Sequence, residues 1–279
     1  MQNPQIFLDG GDPSETKLAK ALYEELAGQT TNPSLIAKNK AVAERVAKGE
    51  RFTEAELTTF YKTVVLEIAE IIPDGSVSIE VYADESTTAE AMLGEAREKA
   101  TWVRNAFIKY PITPEGLKAA EQSVKEGIRV NMTLCFSQEQ AAAVYAATRG
   151  ASPGSVYVSP FIGRLDDQGK SGLDLIRNIS DMYKRGDGHV NILAASVRNV
   201  AHIKGSIQNG TDIVTAPYAA LKEWAIHQGE SAREASPLGL AEIPYTEVSL
   251  EKDWQTYDIV HPLTTAGLKK FVDDWKSLF

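Results

Sequence analysis

Cysteine is almost absent. Cys135 stands alone among 279 residues, which excludes an internal disulfide and any multi-cysteine metal site and fits a reducing compartment. Histidine is scarce too. His189, His202, His227 and His261 fall at no metal-ligand spacing and off the inward strand positions, so they read as structural or surface residues, and no metal centre is expected. No glycine-rich phosphate loop of the G-x-G-x-x-G or P-loop kind follows an early strand, which argues against a nucleotide-binding open sheet. Long apolar runs are missing, none approaching the roughly 18 residues of a membrane span. The opening MQNPQIFLDGG has no basic segment leading into an apolar one, so no secretory signal is expected either. Positive charge is in deficit, with 29 Lys and Arg against 38 Asp and Glu. The net charge of −9 has the wrong sign for a general nucleic-acid binder. From these absences a cytoplasmic location is expected, and nucleic acid is not an expected partner.

The chain is 43% hydrophobic and 24% charged, enough to bury a core the size of one barrel or two smaller units. Eight short apolar or alternating runs recur along it: QIFLD (Gln5 to Asp9), GQTTN (Gly28 to Asn32), SVSIEVYA (Ser76 to Ala83), AFIKYP (Ala106 to Pro111), IRVNMTLCF (Ile128 to Phe136), SVYVSPF (Ser155 to Phe161), VNILAASV (Val190 to Val197) and DIVTAPY (Asp212 to Tyr218). Helical patterns follow most of them. Their starts carry cap signals: Asp12 and Glu15 around Pro13, Thr53 with Glu56, Thr113 before Pro114, and Ser137 with Gln140. After Thr53, Leu57, Phe60, Tyr61, Val64, Val65, Ile68, Ile71 and Ile72 form an i, i+3, i+4, i+7 stripe. Eight strand-and-helix units predict an α/β fold, a single (β/α)₈ TIM barrel over residues 1–279, close to the typical length of about 250 residues. A doubly wound open sheet is the runner-up. Gly229 to Trp254 reads as a long loop after strand eight, a candidate lid or subunit contact, before an amphipathic C-terminal helix from Thr264 to Phe279.

One strand carries an ammonium in its middle. In AFIKYP and the residue before it, alternation puts Asn105, Phe107 and Lys109 on one face. Burial penalises the charged form, and an amine held partly neutral in a pocket is a nucleophile suited to Schiff-base chemistry. The plainer alternative is a strand-end lysine whose head snorkels to water. Reading parity outward from Lys109 collects polar residues near the C-terminal ends of other strands: Asp9, Thr30 and Asn32, Glu80, Asn131 and Thr133, Ser159 with Phe161, and Ser196 followed by Arg198. Each alone fits a satisfied structural role. Together they read as the site that barrels build on that face. Ser196 and Arg198, at a strand-to-helix handover, and Arg164 on the neighbouring turn suggest a phosphate subsite. Cys135 shares the parity of Asn131 and Thr133, although a small buried hydrophobe is its plainer role.

On these residues the chain resembles a transaldolase. The matching motifs are FLDGG with Asp9, QTTNPSLI from Gln29, SIEV with Glu80, IKYP with Lys109, EGIRVNMTLCFS from Glu126, YVSPFIGRLDD from Tyr157 and AASVRN from Ala194, in family order. The resemblance implies a class I Schiff-base enzyme of carbohydrate metabolism in the pentose phosphate pathway, with Lys109 as the amine and no cofactor. It implies that Glu80 and Thr133 move protons through a water, and that Asp9 is the base for C3–C4 cleavage. Thr30, Asn32, Asn131, Ser159 and Phe161 would orient the sugar, while Arg164, Ser196 and Arg198 would hold its phosphate. Related fructose 6-phosphate aldolases, which release free dihydroxyacetone, have Gln and Tyr where this chain has Glu80 and Phe161, so these two residues favour the transferase. A non-catalytic sugar-phosphate binder would not need Lys109, Glu80 and Asp9 together. The ending LKKFVDDWKSLF resembles the smaller members, whose terminal helix takes part in subunit contacts, so a homo-oligomer is left open.

Overall fold

The computed structural model describes residues 4–226 and 239–279. In chain order the elements are β1 (Gln5–Asp9), α1 (Pro13–Leu22), β2 (Gly28–Thr30), α2 (Pro33–Ala37), α3 (Lys40–Ala47), α4 (Glu54–Ile71), β3 (Ser76–Glu80), α5 (Ala89–Lys99), β4 (Ala106–Pro111), α6 (Pro114–Lys125), β5 (Val130–Cys135), α7 (Gln138–Ala147), β6 (Val156–Pro160), α8 (Ile162–Asp166), α9 (Gly172–Tyr183), β7 (Val190–Ala194), α10 (Val200–Gln208), β8 (Ile213–Ala216), α11 (Tyr218–Ile226) and α12 (Pro262–Lys276). The eight strands close into a parallel barrel in sequence order, β8 returning to β1 with Phe7 opposite Thr215. This is the (β/α)₈ barrel that the eight apolar runs predict. Its strands are shorter than several of those runs. β2 stops at Thr30, because Pro33 opens a helix capped by the Asn32 side chain, and the chain must turn before it.

Helix starts follow their cap signals with differences of detail. Thr53 and Glu56 form the full reciprocal box. Asp12 caps by accepting from the Ser14 N–H at 2.8 Å. At α7, Ser137 accepts from Gln140 N–H, but the Gln140 amide reaches elsewhere, to Phe136 N–H, Ile259 carbonyl and Thr264 hydroxyl. It thereby ties α7 to the start of α12.

Inside the barrel, side chains of alternate strand positions form layers. The lower layer is aromatic: Phe107 stacks on Tyr157 with centroids 4.1 Å apart, and Phe7 meets Tyr157 edge-on. Gly28 makes room for this layer, since a Cβ there would lie 2.6 Å from the Phe7 ring. Above it the layers become polar. The last helix, α12, packs on α2 and β5, with Thr264 hydroxyl donating to Leu134 carbonyl at 2.9 Å and Ser34 bonding Asp274. Among the described residues, no helix is long and apolar enough to cross a membrane. The predicted long loop lies outside the described residues from Gly229 to 238, as does His227.

Candidate active site

At the C-terminal end of the barrel a cavity of about 220 Å³ opens. Asp9, Thr30, Asn32, Lys109, Ser159, Phe161, Arg164 and Ser196, all named from the sequence, line it. All but Arg164 come from a strand or the turn after it, where alternation aims the side chain inward, and Arg164 comes from α8.

Lys109 is 3% exposed, and its Nζ lies 2.8 Å from Glu80 Oε2, an ion pair buried on both sides. The pairing follows from register, since Glu80 and Lys109 are partners across the β3–β4 ladder. The amine also donates to Thr31 carbonyl at 3.2 Å and sits 5.7 Å from the Phe271 ring of α12. Burial raises the pKa of Glu80, opposed by Lys109, then Lys99 and Arg164. Burial likewise raises Asp9, opposed by the Thr30 hydrogen bond, Lys109 and Lys38. Both carboxyls are thus moved towards values useful for proton transfer near neutral pH. Thr30 hydroxyl donates to Asp9 Oδ1 at 2.7 Å, so its 2.7 Å contact with Thr215 hydroxyl is one it accepts.

Glu80, Asn131 and Thr133 do not reach the cavity surface. Asn131 is held between Ser78 hydroxyl, to which it donates at 3.0 Å, and Ser159 hydroxyl, from which it accepts at 2.6 Å. Thr133 is fully buried, and its Oγ1 has no hydrogen-bond partner among the described residues. Cys135, despite its place in the sequence, points away. Leu134 adopts φ of 63° and the β5–β6 register shifts between Met132 and Cys135, which breaks the alternation. Its thiol bonds Ser137 carbonyl, and burial pushes it up to about 12, leaving it inert.

The expected phosphate group divides. Arg164 lies 5.1 Å from the Phe161 ring and 5.5 Å from Phe271, and desolvation lowers its pKa. Ser196 holds φ of 56°, a left-handed conformation rare outside glycine, at the cavity rim. Arg198 is outside the cavity lining and clamps Asp167 bidentately at 2.5 Å. Two further cations, Lys38 and Lys270, line the cavity, together with Phe271 and Thr215. Thr215 carries a sequence signal, a polar residue at an inward position of DIVTAPY. Lys270 and Phe271 arrive from α12, 161 and 162 positions downstream of Lys109, and spacing alone does not reveal them. The described histidines sit apart: His189 between Asp187 and Thr148, His202 on Asp166, and His261 capping α12.

The Transaldolase/Fructose-6-phosphate aldolase family matches residues 6–279. A probable transaldolase of Dehalococcoides mccartyi is 35% identical over 274 residues, covering 98% of this chain and 99% of the relative. Probable transaldolases of Caulobacter vibrioides and Thermus thermophilus are 38% and 36% identical, covering 98% of this chain and 97% and 99% of their own lengths. With a barrel whose fourth strand pairs a buried lysine with a glutamate, and relatives of equal length across nearly every residue, the chain belongs to the transaldolase and fructose-6-phosphate aldolase family.

Proposed function

We propose that the protein is a transaldolase that moves a dihydroxyacetone unit between sugar phosphates through a Schiff base on Lys109. The observation that carries this reading is the buried Lys109–Glu80 pair, 2.8 Å apart, whose lysine lines a cavity that also holds Asp9. The donor is a ketose phosphate such as sedoheptulose 7-phosphate or fructose 6-phosphate. Lys109 passes its proton to Glu80, and the free amine adds to the C2 carbonyl, giving a carbinolamine. Glu80 and Thr133, joined by a water, deliver the proton with which the C2 hydroxyl leaves as water, and an iminium remains.

Asp9 then takes the C4 hydroxyl proton. The C3–C4 electron pair moves into the iminium, the aldose phosphate departs, and an enamine stays on Lys109. Its C3 adds to the aldehyde carbon of glyceraldehyde 3-phosphate, whose oxygen recovers the proton from Asp9. Hydrolysis of the new iminium frees the product. Thr30, Asn32 and Ser159 orient hydroxyls, with Asn131 fixing Ser159 from behind and Phe161 forming one wall. Arg164 and Ser196 hold the phosphate, and Arg198 joins them when it leaves Asp167.

Borohydride reduction in the presence of fructose 6-phosphate tests the reading. A dihydroxyacetone adduct is expected on the Lys109 peptide. Turnover should need an acceptor such as erythrose 4-phosphate, whereas steady release of free dihydroxyacetone without acceptor would mark an aldolase. An unlabelled Lys109 peptide rejects the assignment.

A further inference from the structure

The backbone of Glu80 is held by two side chains that lie outside the cavity. Because β2 ends at Thr30, β3 loses its strand partner on that edge. The ladder's last bond there runs from Thr31 N–H to Ser78 carbonyl at 3.2 Å. The Glu80 N–H donates instead to Tyr61 Oη of α4 at 2.9 Å. Thr31 hydroxyl donates to Ser78 carbonyl at 2.7 Å, so in its 2.6 Å contact with Tyr61 it is the acceptor. One phenol thus accepts a hydrogen bond from the Glu80 N–H and donates one to the Thr31 hydroxyl. These are the two residues that face the Lys109 amine, through the Glu80 carboxylate and the Thr31 carbonyl.

The other backbone group of Glu80 is held in the same fashion. Its carbonyl accepts from Lys99 Nζ of α5 at 2.7 Å. Lys99 is a second buried lysine, 4% exposed, 5.1 Å from the Tyr61 ring and 5.5 Å from Trp102, and 2.5 Å from Glu95 Oε1. Glu95 in turn accepts from Tyr82 N–H at 2.8 Å, which pins the segment just past β3. At the strand's last residue, where ladder bonds run out, helices α4 and α5 supply the missing partners.

We propose that Tyr61 and Lys99 are positioning residues, fixing the Glu80 peptide so that its carboxylate stays on Lys109 during iminium formation. This rests on the assignment of Lys109 and Glu80 above. Neither residue lines the cavity.

The test combines rapid borohydride trapping with steady-state kinetics in Tyr61→Phe, Lys99→Met and Lys99→Arg. In Tyr61→Phe and Lys99→Met, the trapping rate and kcat should fall about tenfold, with KM for fructose 6-phosphate within about twofold of the parent. Lys99→Arg, which keeps a cation and donors, should recover part of the rate. A purely packing role would lower the folded fraction without slowing trapping per folded molecule. That result, or parallel changes in kcat and KM, overturns the proposal. Should Tyr61→Phe not fold, the two Lys99 variants decide alone. An adduct on Lys109 at parental rates in the variants defeats this inference only, whereas an adduct on another lysine of the parent defeats both.

Discussion

The molecule buries two lysines beside glutamates, both bonded to Glu80, one at its carboxylate and one at its carbonyl, and gives them different work. Lys109 is 3% exposed and paired with Glu80 at 2.8 Å; Lys99 is 4% exposed and paired with Glu95 at 2.5 Å. Burial and pairing do not separate them. Access does, because Lys109 lines the cavity and Lys99 is sealed behind Tyr61, Trp102 and the Glu80 carbonyl. A nucleophile needs a face open to its electrophile. A structural cation needs every donor occupied.

The largest effect should come from breaking this contrast at its catalytic end. Lys109→Met should abolish adduct trapping and lower kcat by at least about 10⁴-fold, since the covalent route itself is removed. Labelling with an amine-directed aldehyde followed by borohydride should modify Lys109 and spare Lys99. Efficient labelling of Lys99, mapped by peptide mass, would show that the apparent seal is open. Next in size is Glu80→Gln, which keeps the shape but removes the proton acceptor beside the amine. Iminium formation should slow about 10²-fold, the usual worth of a general acid–base group. Trapping rates close to parental would remove Glu80 from the proton path.

How much of this was legible before the fold was known depended on whether a residue's role is local. The eight strands, the α4 stripe and the inward parity of Asp9, Thr30, Lys109 and Ser159 follow from a two-residue or 3.6-residue period and were readable. Cys135 shows where the rule fails: one left-handed residue, Leu134, resets the alternation, and nothing in LCF announces it. Lys99 stands in the last turn of α5, where no sequence pattern marks it as buried. Its burial depends on Tyr61 and Trp102, 38 positions before and three after it, and on where the β3 strand ends. Lys38, Lys270 and Phe271 reach the cavity only because α2 and α12 pack together.

A smaller effect separates the arginines. Arg164 already faces the cavity, so Arg164→Ala should raise KM for fructose 6-phosphate about 10- to 100-fold, as expected for a lost hydrogen bond to a charged group. Unphosphorylated fructose should be used as before. Arg198 must first leave Asp167, which offsets part of any gain, so Arg198→Ala should raise KM by less than about fivefold. Equal effects in the two variants would mean that the Asp167 clamp contributes nothing.

The smallest expected effect bears on stability and carries its own sign. Burial raises the pKa of Asp9 above its ordinary 3.8, so the folded protein holds this proton more tightly than the unfolded chain. The stability contributed by this group is therefore complete below 3.8 and is lost as pH rises through the higher folded value. Above that folded value the parent carries the desolvation cost of the carboxylate. In Asp9→Asn the amide oxygen still accepts from Thr30, but no charge is buried, so the variant should be more stable near neutral pH by about 1 kcal/mol, a common size for relaxing a functional site. The gap should close as pH falls towards 3.8, because the parent then becomes neutral as well. Thermal unfolding across that range checks it. The same variant should still trap the Lys109 iminium, since Asp9 acts only at the C3–C4 bond, so the more stable protein should be the one that forms the adduct and cannot pass it on. A variant less stable than the parent at neutral pH would mean that attraction to Lys109 and Lys38 outweighs burial at this carboxyl.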